Sequence, residues 1–215
     1  MVYDLVVPVE PVDAPWIFAH RGLWKSRDDQ NSKESLDSAF ESGFAVETDV
    51  RDYMGTLIIS HEPLKSDESI NELHLSVNRR FALNIKEDGL ISHFKNNEDV
   101  ISASSSFLFD GSIPQMYMIR KLGIPHALRI SEFESEIPWE SQYLWIDGFE
   151  SDWWIKNSQV LSYLSKYHCI FVSPELHGRK YAQAFDWFAN LKASQEYKFS
   201  VCTDHPTELS RLCSD

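Results

Sequence analysis

Eight short apolar or β-branched runs recur along the chain, most of them ending in a charged residue, and this recurrence restricts the fold more than any other feature. They are WIFAH (16–20), FAVETDV (44–50), RFALNIK (80–86), SFLFD (106–110), HALRI (126–130), YLWID (143–147), CIFVSPE (169–175) and KFSVCTD (198–204). Stretches with helical spacing lie between them, including SKESLDSAFESG, PQMYMIRKLG, SDWWIKNSQVLSYLSKY and GRKYAQAFDWFANLKAS. Short apolar runs alternating with amphipathic helices mean parallel strands joined by crossovers, and eight such units closed on themselves make a (β/α)8 barrel. The piece GTLIISHE (55–62) follows the second run too closely for a crossover helix and reads as a hairpin extension. No low-complexity linker divides the chain, so a single domain over residues 1–215, with its core at about 16–208, is expected.

Side chains alternate along a strand, so residues two apart share a face. Glu47 and Asp49 therefore point the same way, as do Asn84 and Lys86. His20, Lys86, Asp110, Arg129, Asp147, Glu175 and Asp204 all fall at or near the ends of their runs. One polar strand end is ordinary; a ring of them at one end of a barrel is an active-site mouth.

Two carboxylates at i and i+2 supply oxygen ligands to a hard cation such as Mg2+ or Ca2+. An edge-strand pair of acids would look the same in isolation, but Val46 and Val50 flank this one in an interior strand. His20 and His61 fit a general acid and base, the residue type whose pKa suits both roles near neutrality. His177, in SPELHGR, sits beside a strand end within reach of the same pocket. Arg129 suits bidentate contact with phosphate, against an ion pair with Glu132 or Glu134. Trp145, Asp147 and Glu175 suit polyol hydroxyls or a completing metal ligand, and Trp153-Trp154 reads as core or as a stacking surface.

The ordered set His20-Arg21-Gly22, Asn31, Glu47-Thr48-Asp49-Val50, then Ser60-His61-Glu62, resembles the signature of the glycerophosphodiester phosphodiesterase family. Cys202-Thr203-Asp204-His205-Pro206 is similar to that family's last strand, so the resemblance runs from residue 16 to about 208. It implies a phosphodiesterase barrel with His20 and His61 as catalytic histidines, Arg21 as a phosphate contact, and Glu47 and Asp49 as metal ligands. The family usually has Glu-x-Lys at the end of its third strand, where this chain has Asn84-Ile85-Lys86. Lys86 remains for the phosphate, but the third ligand becomes a neutral amide, so the cation should be weakly held unless Asp110 or Glu175 completes the site. Gln30 also replaces a common glutamate, and the segment after His61 is short.

The expected activity is metal-dependent hydrolysis of a small or polymeric phosphodiester, glycerophosphodiester-like or a polyol phosphate, by two-histidine acid–base catalysis. The alternative is a weak or inactive barrel that binds such a ligand. A net charge of -13, from 20 basic and 33 acidic residues, opposes binding to nucleic acid and to anionic membranes. The first residues have no basic region and do not read as a signal peptide. Cys169, Cys202 and Cys213, odd in number and without CxxC spacing, read as reduced thiols in a cytoplasmic protein.

Overall fold

The structure is a computed structural model and describes residues 15–65 and 69–214. The amino-terminal segment read for a leader lies outside the described residues.

The nine strands of the described residues join one sheet. Eight are parallel: β1 (Ile17–His20), β2 (Ala45–Tyr53), β4 (Phe81–Ile85), β5 (Phe107–Phe109), β6 (Ala127–Ile130), β7 (Tyr143–Ile146), β8 (His168–Val172) and β9 (Phe199–Thr203). Their order, β5-β4-β2-β1-β9-β8-β7-β6, wraps until β5 meets β6. A single parallel bridge, Leu108 to His126, joins the two ends, with the Leu108 amide donating to the Pro125 carbonyl at 3.1 Å. This is the expected (β/α)8 barrel, nearly closed. The hairpin extension is β3 (Thr56–Ile59), antiparallel to β2 with Val50 opposite Ile59.

The crossover helices form where the apolar spacing and caps call for them. α1 (Lys33–Glu41) starts at Ser32, whose hydroxyl accepts the Ser35 amide. α2 (Ile91–Asn96), α3 (Glu98–Ala103), α4 (Ile113–Lys121), α7 (Ala182–Ser194) and α8 (Pro206–Leu212) follow. SDWWIKNSQVLSYLSKY gives two helices, α5 (Trp153–Lys156) and α6 (Gln159–Lys166), not one. Asn157 turns extended between them and its side chain accepts the Gln159 amide at 2.9 Å, the local bonding by which Asn competes with helix.

The strand–helix alternation is less regular than expected. Among the described residues no helix lies between β2 and β4, where the hairpin sits, or between β6 and β7. Residues 131–142 lack apolar spacing, and Pro138 disfavours helix at Ile137. The Ser131 hydroxyl instead accepts the Phe133 and Glu134 amides, both at 3.2 Å.

Strand alternation divides the apolar residues into two cores. Outward residues such as Ile17, Val46, Leu83 and Leu144 pack under the helices together with Trp154, 1 % exposed. Trp154 is thus core, not a stacking surface. Inward residues Phe18, Phe107, Phe109, Tyr143, Trp145 and Ile170 fill the barrel. Phe107 stacks on Tyr143 at 4.6 Å and Phe109 on Trp145 at 4.0 Å between ring centroids. This aromatic floor closes the barrel and carries the polar mouth above it.

Candidate active site

Two residues beyond the apolar floor, the inward positions turn polar. Phe18 is followed by His20, Ala45 by Glu47, Ala82 by Asn84, Ala127 by Arg129, Trp145 by Asp147 and Cys202 by Asp204. Strand register brings them level, with His20 opposite Glu47 and Asp49 opposite Asn84. They surround a cavity of about 450 Å³ at the carboxyl ends of the strands.

The turn after β1 answers to its neighbours. Arg21 takes a left-handed backbone, φ 56°, with its amide donating to the Glu47 carbonyl at 2.8 Å. Gly22, φ 90°, passes so close to α1 that a Cβ would lie 2.6 Å from Ser35. Only glycine fits there.

His20 Nδ1 lies 2.7 Å from Asp204 Oδ1. That leaves Nε2 toward Glu47, whose Oε2 is 3.8 Å away. Asp204 is held in turn, its amide donating to Glu175 Oε1 at 3.1 Å. The hydroxyls of Ser173 and Thr203 also donate to the Glu175 carboxylate.

Asp49, fully buried, is surrounded by donors. Arg21 Nε lies 2.9 Å from it and Lys86 Nζ 3.0 Å, and Asn31 Nδ2 donates at 2.8 Å. Burial works against its charge, but Lys86 and Arg21 outweigh burial and hold the carboxyl below its usual range. Glu47 is the opposite case. Burial, aided by the Asp49 charge, pushes its carboxyl above the usual range. Asn84 Nδ2 donates to Glu47 Oε1 at 3.2 Å. Glu47 Oε2 and Asn84 Oδ1 are buried without a hydrogen-bond partner among the described residues.

On the far wall Arg129 makes a two-pronged pair with Asp110, through Nε at 3.0 Å and through Nη2. Its Nη1 lies 3.6 Å from Asp147 and its Nε 3.7 Å from Glu134. Of the two acids read as alternative partners, Glu134 is thus near Arg129, whereas Glu132 caps the Phe149, Glu150 and Ser151 amides. His177 Nε2 lies 2.7 Å from Asp147 Oδ1.

Of the residues read from sequence, His20, Arg21, Glu47, Asn84, Lys86, Asp110, Arg129 and Glu175 line the cavity, and Asp49 lies just behind its wall. His61 is not among the described lining residues. It follows β3, is 44 % exposed, and its Nδ1 faces Glu62 Oε1 at 2.7 Å. Two acids with a direct hold on a histidine were given no such role by the sequence reading: Asp204 behind His20 and Asp147 behind His177. The Asp204 signal was present, since Phe18 aligns with Cys202 and the next inward positions are His20 and Asp204.

No family model matches the chain, and no curated protein does. Among solved structures it is similar to a glycerophosphodiester phosphodiesterase from Agrobacterium tumefaciens, with a TM-score of 0.64 at 10 % identity, covering 92 % of this chain and 99 % of that one. A protein described as a glycerophosphoryl diester phosphodiesterase from Silicibacter pomeroyi gives 0.52 at 10 % identity, covering 94 % of each chain. The chain has the glycerophosphodiester phosphodiesterase fold.

In that fold the buried oxygens Glu47 Oε2 and Asn84 Oδ1 suit a hard cation, because each is dehydrated and lacks a hydrogen-bond partner among the described residues. The donor set is sparse. Asp49 is already neutralised by Arg21 and Lys86, Asp110 by Arg129, and Glu175 is filled by hydroxyls and an amide. Among the described residues no three His, Cys, Asp or Glu groups are arranged to hold a metal ion. The fit is therefore to a cation carried by one carboxylate and one amide, rich in water ligands.

Proposed function

We propose that the chain is a phosphodiester hydrolase acting on a glycerophosphodiester-like or polyol-phosphate substrate. The observation that carries this is the His20–Asp204 pair, 2.7 Å apart, opening into the same cavity as Arg21 and Lys86. Asp204 holds His20 Nδ1 and so orients the ring, which makes His20 Nε2 the atom that exchanges a proton with the reacting oxygens. Arg21 and Lys86, fixed by Asp49, stabilise negative charge growing on the phosphoryl oxygens. Because Asp49 anchors both cations, little reorganisation is needed as that charge develops.

Water or a substrate hydroxyl attacks phosphorus, one group removes its proton, and a second protonates the departing alkoxide. A vicinal hydroxyl on the substrate would give a cyclic phosphate first. His61 is the second histidine by resemblance. A divalent cation, Mg2+ or Ca2+, would be held by Glu47 and Asn84, and when bound it neutralises phosphoryl charge. The three unpaired cysteines support a cytoplasmic setting, and no helix is long and apolar enough to cross a membrane among the described residues.

The test is a panel of phosphodiesters, from glycerophosphocholine to glycerol-phosphate polymers, assayed with Mg2+, Mn2+ and Ca2+. Turnover of at least one diester is expected. The sparse ligand set around Asn84 favours a second reading, a barrel that binds such ligands without hydrolysis. Saturable binding without product would select it.

A further inference from the structure

We infer that His177, carried by Asp147, is the second proton-transfer residue of the mouth, in the role that the sequence resemblance gives to His61. This rests on the phosphodiesterase reading above and adds a residue to it.

Two histidine–aspartate pairs open into one cavity. His20 Nδ1 meets Asp204 and His177 Nε2 meets Asp147, each at 2.7 Å. Each imidazole therefore has one nitrogen bound to a carboxylate and one left to exchange a proton, Nε2 on His20 and Nδ1 on His177. Hydrolysis of a diester needs two such groups, one for the attacking oxygen and one for the leaving oxygen.

The placement of His177 is rigid. It ends a short 3-10 turn, Pro174–His177, that opens with proline and closes on Gly178 at φ 71°. Arg179 fastens that turn to the β7–α5 loop, bonding the Phe149 carbonyl and Asp152, both at 2.8 Å. The Phe149 ring packs on the imidazole with centroids 5.1 Å apart. Asp147 is 3 % exposed and its Oδ1 also accepts the Gly148 amide at 2.8 Å, so the carboxylate cannot swing away. Among the described residues His61 has no such support: its side chain faces Glu62, which is 81 % exposed.

The step balances without a further reactant. One imidazole takes the proton from the attacking water or hydroxyl as the new P–O bond forms. The other imidazolium gives its proton to the alkoxide as the old P–O bond breaks. Proton exchange with solvent returns both rings to their starting states.

The experiment compares wild type with His20→Ala, His61→Ala and His177→Ala on two diesters, one with an alkyl and one with a nitrophenyl leaving group. A nitrophenolate departs without protonation, so the variant lacking the general acid loses only the alkyl reaction. His177→Ala is expected to lose roughly 100-fold or more on the alkyl diester, with partial rescue by added imidazole and an unchanged melting temperature. His20→Ala and His177→Ala should differ in their response to the nitrophenyl ester, one recovering and the other not. Near wild-type activity in His177→Ala overturns the inference, as does a full loss in His61→Ala with His177→Ala unaffected. A loss in His177→Ala that imidazole never restores, accompanied by a lower melting temperature, assigns it a structural role and also overturns it. If wild type hydrolyses neither ester nor any diester of the panel, it is the phosphodiesterase reading that fails.

Discussion

His20 and Asp204, 184 residues apart in sequence, meet at 2.7 Å where β1 and β9 run side by side. The contact fixes which imidazole nitrogen faces the cavity. His20→Ala should lower turnover by roughly 100- to 10,000-fold, with the melting temperature close to wild type. Asp204→Asn should cost less than His20→Ala, because the ring remains but loses its anionic partner. Steady-state rates of the two variants check this, and equal activity in His20→Ala and wild type would remove His20 from the chemistry.

Asn84 is the clearest point at which the mouth differs from the expected ligand set. Asn84→Glu adds a carboxylate beside Glu47, whose own carboxyl is already pushed up by burial and by Asp49. The variant should bind Mg2+ or Ca2+ more tightly in calorimetry, and should be less stable than wild type when cation is withheld. No change in cation affinity would mean that the ion is not held at Glu47.

Asp110 should not share in that binding. Its two oxygens are occupied by Arg129, a pair with side-chain exposures of 14 % and 23 %. Asp110→Ala should leave cation affinity unchanged and destabilise the fold by about 2 kcal/mol, the scale for losing charged hydrogen bonds, since Arg129 keeps Asp147 and Glu134 at 3.6 and 3.7 Å. Denaturant unfolding measures the loss. Weaker cation binding in this variant would make Asp110 a ligand after all.

Acid stability should carry the mark of His168, on β8. Burial, reinforced by Arg80, Lys198 and Lys192, lowers its pKa to about 3. The folded state therefore keeps the ring neutral while the unfolded chain protonates it near pH 6.5. Its contribution is complete above pH 6.5 and is lost at roughly 1.4 kcal/mol per pH unit as the pH falls from there toward 3. His168→Gln should flatten the stability curve over that window, and an unchanged curve would contradict the assignment.

The barrel was legible in the sequence because each strand is a short apolar run ending in a charge, a pattern set by local burial alone. The mouth was legible in part for the same reason, since period two carries Phe18 to His20 and Ala45 to Glu47 and Asp49. What was hidden depends on partners far apart in sequence. Of the two acids offered to Arg129, Glu134 lies 3.7 Å from it, but the strand neighbour Asp110 makes the closer contact, and Glu132 turns to cap the loop after β7. The general strand–helix alternation does not extend to residues 131–142, where Pro138 and the acids leave no apolar helical face. The pairing of Asp147 with His177 needed the β8 turn to fold back over β7, and no local spacing encodes that.

The most direct test follows phosphorus. Phosphorus NMR of wild type and His20→Ala, each incubated with the best diester of the panel and a divalent cation, reports whether a P–O bond is cut and by whom. Wild type should convert the diester signal into that of a phosphomonoester, directly or through a cyclic phosphate, while His20→Ala leaves the diester intact over the same time. Persistence of the diester signal with wild type, or equal conversion by both proteins, would contradict the assignment of this mouth as a phosphodiesterase site.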